Sequence, residues 1–303
     1  MTMQAYYFAH YRLLVDDALS EHESMQFLAE FRREMPYTHT FTVHMGDAVL
    51  LDKKYAEAVK HPIRCETERF NLHDMGDSWA FASVFDERTL KCNGKHVLVC
   101  SRDYSEMTIY LSQEPYYEEL LQRWRTPSVP FSMCIRAACE AGMTLRDGMP
   151  LHAALVEKDG YGVIFLGPSG MGKSTQAKLW VQYQGADFVI GDRPGLRYID
   201  GTWYGFGMPW DGKDGIKRQK CVPIKALIAL QQAQENQIRR LTSQEAIIVL
   251  LNQVMMPMWD DKAMDKLSPL MGQLAHDIPF YHLRNLPNEA ATILTREAIN
   301  AEG

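Results

Sequence analysis

Gly162-Val-Ile-Phe-Leu-Gly-Pro-Ser-Gly-Met-Gly-Lys-Ser-Thr175 is the stretch whose reading decides the fold. Residues 162–166 are apolar, β-branched and aromatic, and read as a buried strand. Residues 167–174 fit the pattern G-x-x-x-x-G-K-[S/T]. Beyond them Ala177, Trp180 and Val181 fall at helical spacing among Gln176, Lys178, Gln182 and Gln184, which predicts a helix with one apolar face. Strand, glycine-rich turn and helix, in that order, is the context in which this pattern carries meaning.

The residue types state the chemistry. Gly170 and Gly172 leave room for the backbone to wrap a phosphate with successive N–H groups pointing inward. The following helix adds its unpaired N–H groups and the positive end of its dipole. Lys173 supplies a full charge for the β- and γ-phosphates, and the Ser174 hydroxyl suits the coordination shell of Mg²⁺. The predicted nucleotide-binding set is therefore Gly167, Ser169, Gly170, Met171, Gly172, Lys173, Ser174 and Thr175, with ATP and Mg²⁺ as cofactors.

Outward from this stretch, the 303 residues suffice for two domains. A hydrophobic content of 46% with 23% charged residues is that of a soluble globular protein. The formal net charge of −6 argues against a nucleic-acid partner, because a polyanion needs a basic surface. Six scattered cysteines lack C-x-x-C and metal-finger spacing, and read as reduced thiols. The N-terminus carries neither a basic segment nor an apolar core of the secretory type, and no apolar run reaches spanning length. A cytoplasmic protein without membrane or nucleic-acid partners is expected, with self-association left open.

Residues 1–125 read as a β-rich (α+β) N-terminal module. Strands are expected at Tyr6–Val15, His39–Val43, Ala48–Leu51, Trp79–Val84, His96–Ser101 and Met107–Leu111, with a hairpin turn at Asn93-Gly94. A helix is expected over Ser24–Met35, carrying Leu28, Phe31 and Met35 on one face. Its histidines lack metal-ligand spacing and read as structural. Residues 126–303 form the second domain, opened by a bridging helix over 126–145 that starts at Thr126-Pro127-Ser128 and stops near Gly142.

From residue 146 strands and helices alternate, which predicts an α/β sandwich. The strand Leu151–Glu157 turns through Lys158-Asp-Gly160 into the strand before the glycine loop, an antiparallel entry. Further strands are expected at Asp187–Ile190, Tyr198–Asp200, Trp203–Phe206, Ile224–Leu230 and Phe280–Leu283. A basic glycine-rich loop covers 207–220, and its Lys213, Lys217 and Arg218 suit closure over a transferring phosphoryl group. Thr242-Ser-Gln-Glu245 is a capping box for a helix over Ala246–Val254, and a last helix follows Pro287-Asn288-Glu289.

The order His152, strand, turn, strand, Gly167–Thr175, helix, strand, Gly191-Asp192 resembles the catalytic domain of HPr kinase/phosphorylase, itself similar to the nucleotide site of phosphoenolpyruvate carboxykinase. The resemblance covers roughly residues 145–300, and the spacing of His152 from Gly167 (167 − 152 = 15) agrees with it. It implies a P-loop kinase fold, a magnesium ligand or base at Asp192, and an acid/base or ligand role for His152. Ser174 and Asp192 become the magnesium set, and Asp192, His152 and Lys173 the catalytic set. HPr kinase has two adjacent aspartates where this chain has Asp192 alone, so either Asp192 serves as both metal ligand and base, or His152 or Asp211 takes one duty, or the chemistry is weakened. The implied activity is ATP- and Mg²⁺-dependent transfer of a phosphoryl group to a hydroxyl, foremost serine, of a protein or peptide partner. A nucleotide-binding regulatory module and a carboxykinase-like or small-molecule kinase are the alternatives. The sequence lacks the Leu-Ser-Gly-Gly-Gln of transporter ATPases and a motor-type apolar run ending in Asp-Glu.

Overall fold

The computed structural model describes residues 2–84, 95–112, 116–118, 123–125, 129–210, 212 and 214–301. Asn93-Gly94, Thr126-Pro127-Ser128, Asp211 and Lys213 lie outside the described residues. Two compact units result, Met1–Gly142 with Pro257–Asp261, and Met143–Met256 with Lys262–Gly303. The helix α3 expected to bridge two domains runs Val129–Thr144, and passes through Gly142 instead of stopping there.

In the first unit, β1 (Met3–Phe8), β2 (Tyr11–Asp16), β3 (His39–Met45), β4 (Ile63–Glu66), β5 (Phe70–Asp74), β6 (Ser78–Ser83), β7 (His96–Ser101) and β8 (Glu106–Leu111) form one sheet. Its order is β1-β2-β3-β8-β7-β6-β5-β4. The β2–β3 and β3–β8 pairs are parallel and the others antiparallel. A small hairpin, β9 (Tyr116–Glu118) with β10 (Arg123–Arg125), and short helices α1 (Asp17–Ser20) and α2 (Leu51–Ala58) complete the unit.

Three stretches of the first unit fold differently from the sequence expectation. The single strand Tyr6–Val15 is a hairpin, β1 and β2, turning at Ala9 and His10 with φ of 48° and 60°. Left-handed backbone at both turn positions is normally announced by Asn or Gly, and neither is present. The strand expected at Ala48–Leu51 is a helical turn running into α2, started by the Asp47 side chain, which accepts from Val49 N at 3.0 Å. The helix expected over Ser24–Met35 is a 3₁₀ run, Glu23–Phe31. Its buried residues are Met25, Leu28 and Phe31, and that spacing of three matches three residues per turn. Met35 lies beyond its end.

The second unit is a nine-stranded sheet. Its strands are β11 (Gly148–Pro150), β12 (Ala153–Lys158), β13 (Tyr161–Leu166), β14 (Asp187–Ile190), β15 (Gly195–Ile199), β16 (Thr202–Phe206), β17 (Cys221–Gln232), β18 (Gln237–Arg240) and β19 (Phe280–Asn285). The helices are α4 (Lys173–Gln184), α5 (Ser243–Leu251), α6 (Asp261–Asp277) and α7 (Glu289–Asn300). The expected antiparallel entry is present as β12–β13, and β14 pairs antiparallel with the far side of β12. β13, β17 and β19 run parallel. The β13 and β14 strands therefore end at the same edge of the sheet, where β12 begins.

Burial explains why α4 holds its place. Ala177 and Trp180 are fully buried, and the Trp180 ring meets Phe165 of β13 at 5.9 Å and 64°. Edge-to-face contact of two rings adds to the area they remove from water. Val181, expected on the same face, is 40% exposed, and Gln176 and Gln184 are the residues that turn inward instead. Gln184 donates to Thr292 Oγ1 of α7 at 2.8 Å and accepts from Arg296 at 3.0 Å, which offsets its burial. The α5 capping box forms as expected: Glu245 N donates to Thr242 Oγ1 and Thr242 N to Glu245 Oε2. Asn288 caps α7 by accepting from Ala291 N at 3.1 Å.

Candidate functional site

The glycine loop leaves β13 at Gly167 and enters α4 at Lys173. Gly170 and Gly172 have φ of 82° and 100°, a left-handed backbone that side chains resist. A Cβ on Gly170 would meet nothing within 4 Å, and one on Gly172 only Thr175 Cβ at 4.0 Å, so the loop encloses open space. Gln232, at the end of β17, donates to Gly170 O at 3.0 Å and braces the loop from outside.

That space is a cavity of about 500 Å³. Ser169, Gly170, Gly172, Lys173, Ser174 and Thr175 line one side, and His152, Gly191 and Asp192 the other. Of the residues predicted to bind, Met171 does not line it. Its side chain packs on the core cluster of Phe165 and Trp180, and its N–H is turned to Pro168 O at 3.2 Å. Gly167 lines a neighbouring cavity instead.

Lys173 is buried, and its Nζ donates to Gly167 O at 2.7 Å and Pro168 O at 3.3 Å. It also stands 3.2 Å from His152 Nε2, which serves as acceptor for the ammonium. Burial lowers the pKa of Lys173, opposed by the charge of Asp192. Burial first, and the Lys173 charge next, lower that of His152 against the pull of Asp192, so the imidazole is held neutral. His152 is fixed from two directions, by its own N–H to Gln253 O at 2.7 Å and by Leu151 N to Pro194 O at 3.0 Å.

Asp192 follows β14. Its Oδ1 lies 3.8 Å from His152 Nε2, is buried, and has no hydrogen-bond donor among the described residues. Arg193, at φ 55°, reaches back to Asp192 Oδ2 at 3.9 Å instead of lining the cavity. A buried carboxylate oxygen without a donor is a place where a cation would be welcome.

Asp214 is a site residue that the sequence did not single out. Gly191 N donates to Ile216 O at 3.2 Å, and Ile190 bridges Lys217, so the 214–217 segment docks beside the end of β14. Asp214 then lines the cavity, accepts from Lys178 at 2.5 Å and hydrogen-bonds the Ser174 hydroxyl, which together lower its pKa. No local pattern could have revealed it, because the contact joins a loop to a helix 40 residues earlier (214 − 174). Arg218, expected to close over a phosphoryl group, instead faces Asp187 at 3.8 Å, at the opposite end of β14 from Asp192. Lys220 pairs with Asp187 and Glu157 there.

The oxygens of Ser174 and Asp192 fit a hard divalent cation such as Mg²⁺, which takes one or two protein ligands and completes its shell with phosphate and water. No group of three or more His, Cys, Asp or Glu suited to a metal occurs among the described residues. No described helix is long and apolar enough to cross a membrane.

The fold and this cavity describe a mixed α/β protein whose second unit carries a glycine loop at the edge where β13 and β14 end. A family model described as SynChlorMet cassette protein ScmC matches residues 140–286. A structure of the Hpr(Ser) kinase/phosphatase from Coxiella burnetii is similar at 15% identity and a TM-score of 0.30, over 51% of this chain and 99% of that one. No curated protein matches the chain.

Proposed function

We propose that this chain binds ATP with Mg²⁺ and transfers the γ-phosphoryl group to a hydroxyl, foremost serine, of a protein or peptide. The observation that carries the reading is the convergence of Lys173, His152 and the donor-free Asp192 on the cavity enclosed by the glycine loop. The loop amides and the start of α4 take the phosphates, and Lys173 turns from Gly167 O to their β–γ end. Ser174 and Asp192 would hold Mg²⁺, which supplies charge neutralisation along the phosphates.

His152 Nε2, released when Lys173 moves, is the lone pair available near the reacting end. The acceptor oxygen bonds to the γ-phosphorus while the bond from that phosphorus to the β–γ bridging oxygen breaks. The electron pair leaves on the nucleoside diphosphate, and the hydroxyl proton passes to His152. Such a reaction needs chiefly positioning and charge stabilisation. A regulatory module that binds nucleotide without transfer is the second reading, favoured by the single aspartate after β14.

The test is ATP turnover with Mg²⁺, with and without a serine-containing peptide, in wild type, Lys173→Ala and Asp192→Asn. Peptide-dependent turnover lost in both variants supports transfer. Nucleotide binding that Lys173→Ala abolishes, with no turnover, supports the regulatory module. Turnover untouched by Asp192→Asn removes that residue from the site.

A further inference from the structure

A second cavity of about 590 Å³ adjoins the first and shares one wall residue with it, His152. It opens between the ends of the parallel strands β17 and β19 and the helix α5, outside the carboxyl ends of the strands where α/β sheets place ligands. The two cavities divide the loop between them. Gly167 and Pro168 line the second, whereas Ser169 through Thr175, Met171 apart, line the first.

The tip of Lys173 marks which end of a nucleotide faces this second cavity. Its Nζ rests on Gly167 O, Pro168 O and His152 Nε2, all residues of the second cavity's wall. A loop lysine serves the β- and γ-phosphates, so the transferable end lies at this boundary. Ser174 and Thr175 line only the first cavity, and the remainder of a nucleotide extends toward them.

The wall chemistry states what enters. Ala229, Leu230, Ile248 and Val249 are apolar, and Gln231 and Asn252 bring primary amides. Among the described residues lining the cavity there is no Lys, Arg, Asp or Glu. Among the described lining residues the titratable ones are His152 and His282. A carboxylate or phosphate ligand would meet no cation among these lining residues, and the one ammonium at the boundary, that of Lys173, is the group assigned to the nucleotide phosphates. A primary amide offers both donors and an acceptor, and so complements the N–H and C=O of a peptide.

We infer that this second cavity is the acceptor pocket, and that it admits an uncharged, hydroxyl-bearing polypeptide segment while excluding small carboxylic acids. The inference rests on the transferase reading above and names its substrate class. His152 stands between the two cavities, where an acceptor hydroxyl reaches the γ-phosphoryl group.

The experiment uses the full chain, a pool of uncharged serine-containing octapeptides and, separately, malate, with γ-labelled ATP and Mg²⁺. Val249→Trp fills the pocket, and Ile248→Glu, at a position 61% exposed and safe for folding, charges its mouth. Expected is label in the peptides and not in malate, reduced about tenfold or more in both variants, with the affinity for a fluorescent ATP analogue held within about twofold. Label in malate, or peptide labelling unchanged in both variants, overturns the pocket. Nucleotide affinity lost in both variants overturns it too, and assigns the cavity to the base. If wild type binds ATP and labels nothing, the transferase reading fails separately. The pocket is then judged by anisotropy of the fluorescein-labelled peptide pool with a non-hydrolysable ATP analogue. Binding lost in Val249→Trp upholds the pocket, and no binding to wild type overturns it.

Discussion

Gln253 Oε1 accepts the N–H of Gly167 at 3.3 Å, while the Gln253 carbonyl accepts the N–H of His152 at 2.7 Å. One buried residue just beyond α5 therefore fixes both the first residue of the glycine loop and the backbone of His152, whose imidazole faces Lys173. Gln253→Leu keeps the volume and removes the acceptor, leaving a buried N–H unpaired. The expected loss of stability is about 1–3 kcal/mol. Urea denaturation measures it, and Gln253→Glu, which keeps an acceptor oxygen, should lose less. Nucleotide affinity, titrated in parallel, should fall in Gln253→Leu because the loop loses its anchor.

Lys220 bridges Glu157 at 2.5 Å and Asp187 at 2.8 Å, between β12, β14 and the start of β17. The bond to Lys220 is the leading cause that lowers both carboxyl pKa values from 4.5 and 3.8. Carboxyls lowered in the folded state bind fewer protons than in the unfolded chain. Their stabilisation is full above pH 4.5 and is lost as pH falls through the lowered values. Partial exposure of Lys220 and Asp187 limits the effect of Lys220→Met at neutral pH to about 1 kcal/mol. The variant should also show a flatter decline of stability below pH 4.5, and urea midpoints across that range check both claims.

Gly207 is set by proximity. A Cβ there would fall 1.8 Å from the Arg218 carbonyl, across the neck of the loop closed by Gly207 N to Lys220 O at 3.0 Å. Gly207→Ala must displace backbone, which a flexible side chain could have spared, at an expected cost of about 1–3 kcal/mol. The loop that carries Asp214 to the cavity should open, read as faster amide exchange over 207–220.

The parts of this fold that were legible in the sequence are those whose physics is local. The loop at Gly167–Thr175, the capping box at Thr242 and Glu245 and the Asn288 cap each need only residues within a turn of one another. The hairpin at Asp200-Gly201 was equally open to reading, since both residues take the left-handed backbone that their types tolerate. Ala9-His10 makes the same kind of turn without either signal, held by the pairing of β1 with β2 and by the parallel neighbour β3. At the site, His152 and Asp192 came from the resemblance that the order and spacing of the elements carry. Gln253 and Asp214 did not, because each acts on the loop through a contact between residues distant in sequence. Arg218 illustrates the converse: its charge suited a phosphate, but it faces Asp187 and does not line the cavity.

The Ser174 hydroxyl is a side-chain partner of Asp214 that helps to lower its pKa, and both residues line the cavity with Asp192. On the proposed magnesium reading, Asp214 positions Ser174 as a ligand. Asp214→Asn exchanges a charge-assisted hydrogen bond for a neutral one, a difference of about 1 kcal/mol, or about fivefold in an equilibrium. The Mg²⁺ concentration needed for half-maximal binding of a fluorescent ATP analogue should rise by about that factor, with little change in the metal-free affinity. Lys178→Met removes the other partner of Asp214, a pair whose lysine is 57% exposed, and should shift that concentration by less than about twofold. Equal effects of the two variants would show that the ion pair, and not the Ser174 contact, matters. No effect of Asp214→Asn would leave Asp192 as the sole carboxylate of the site.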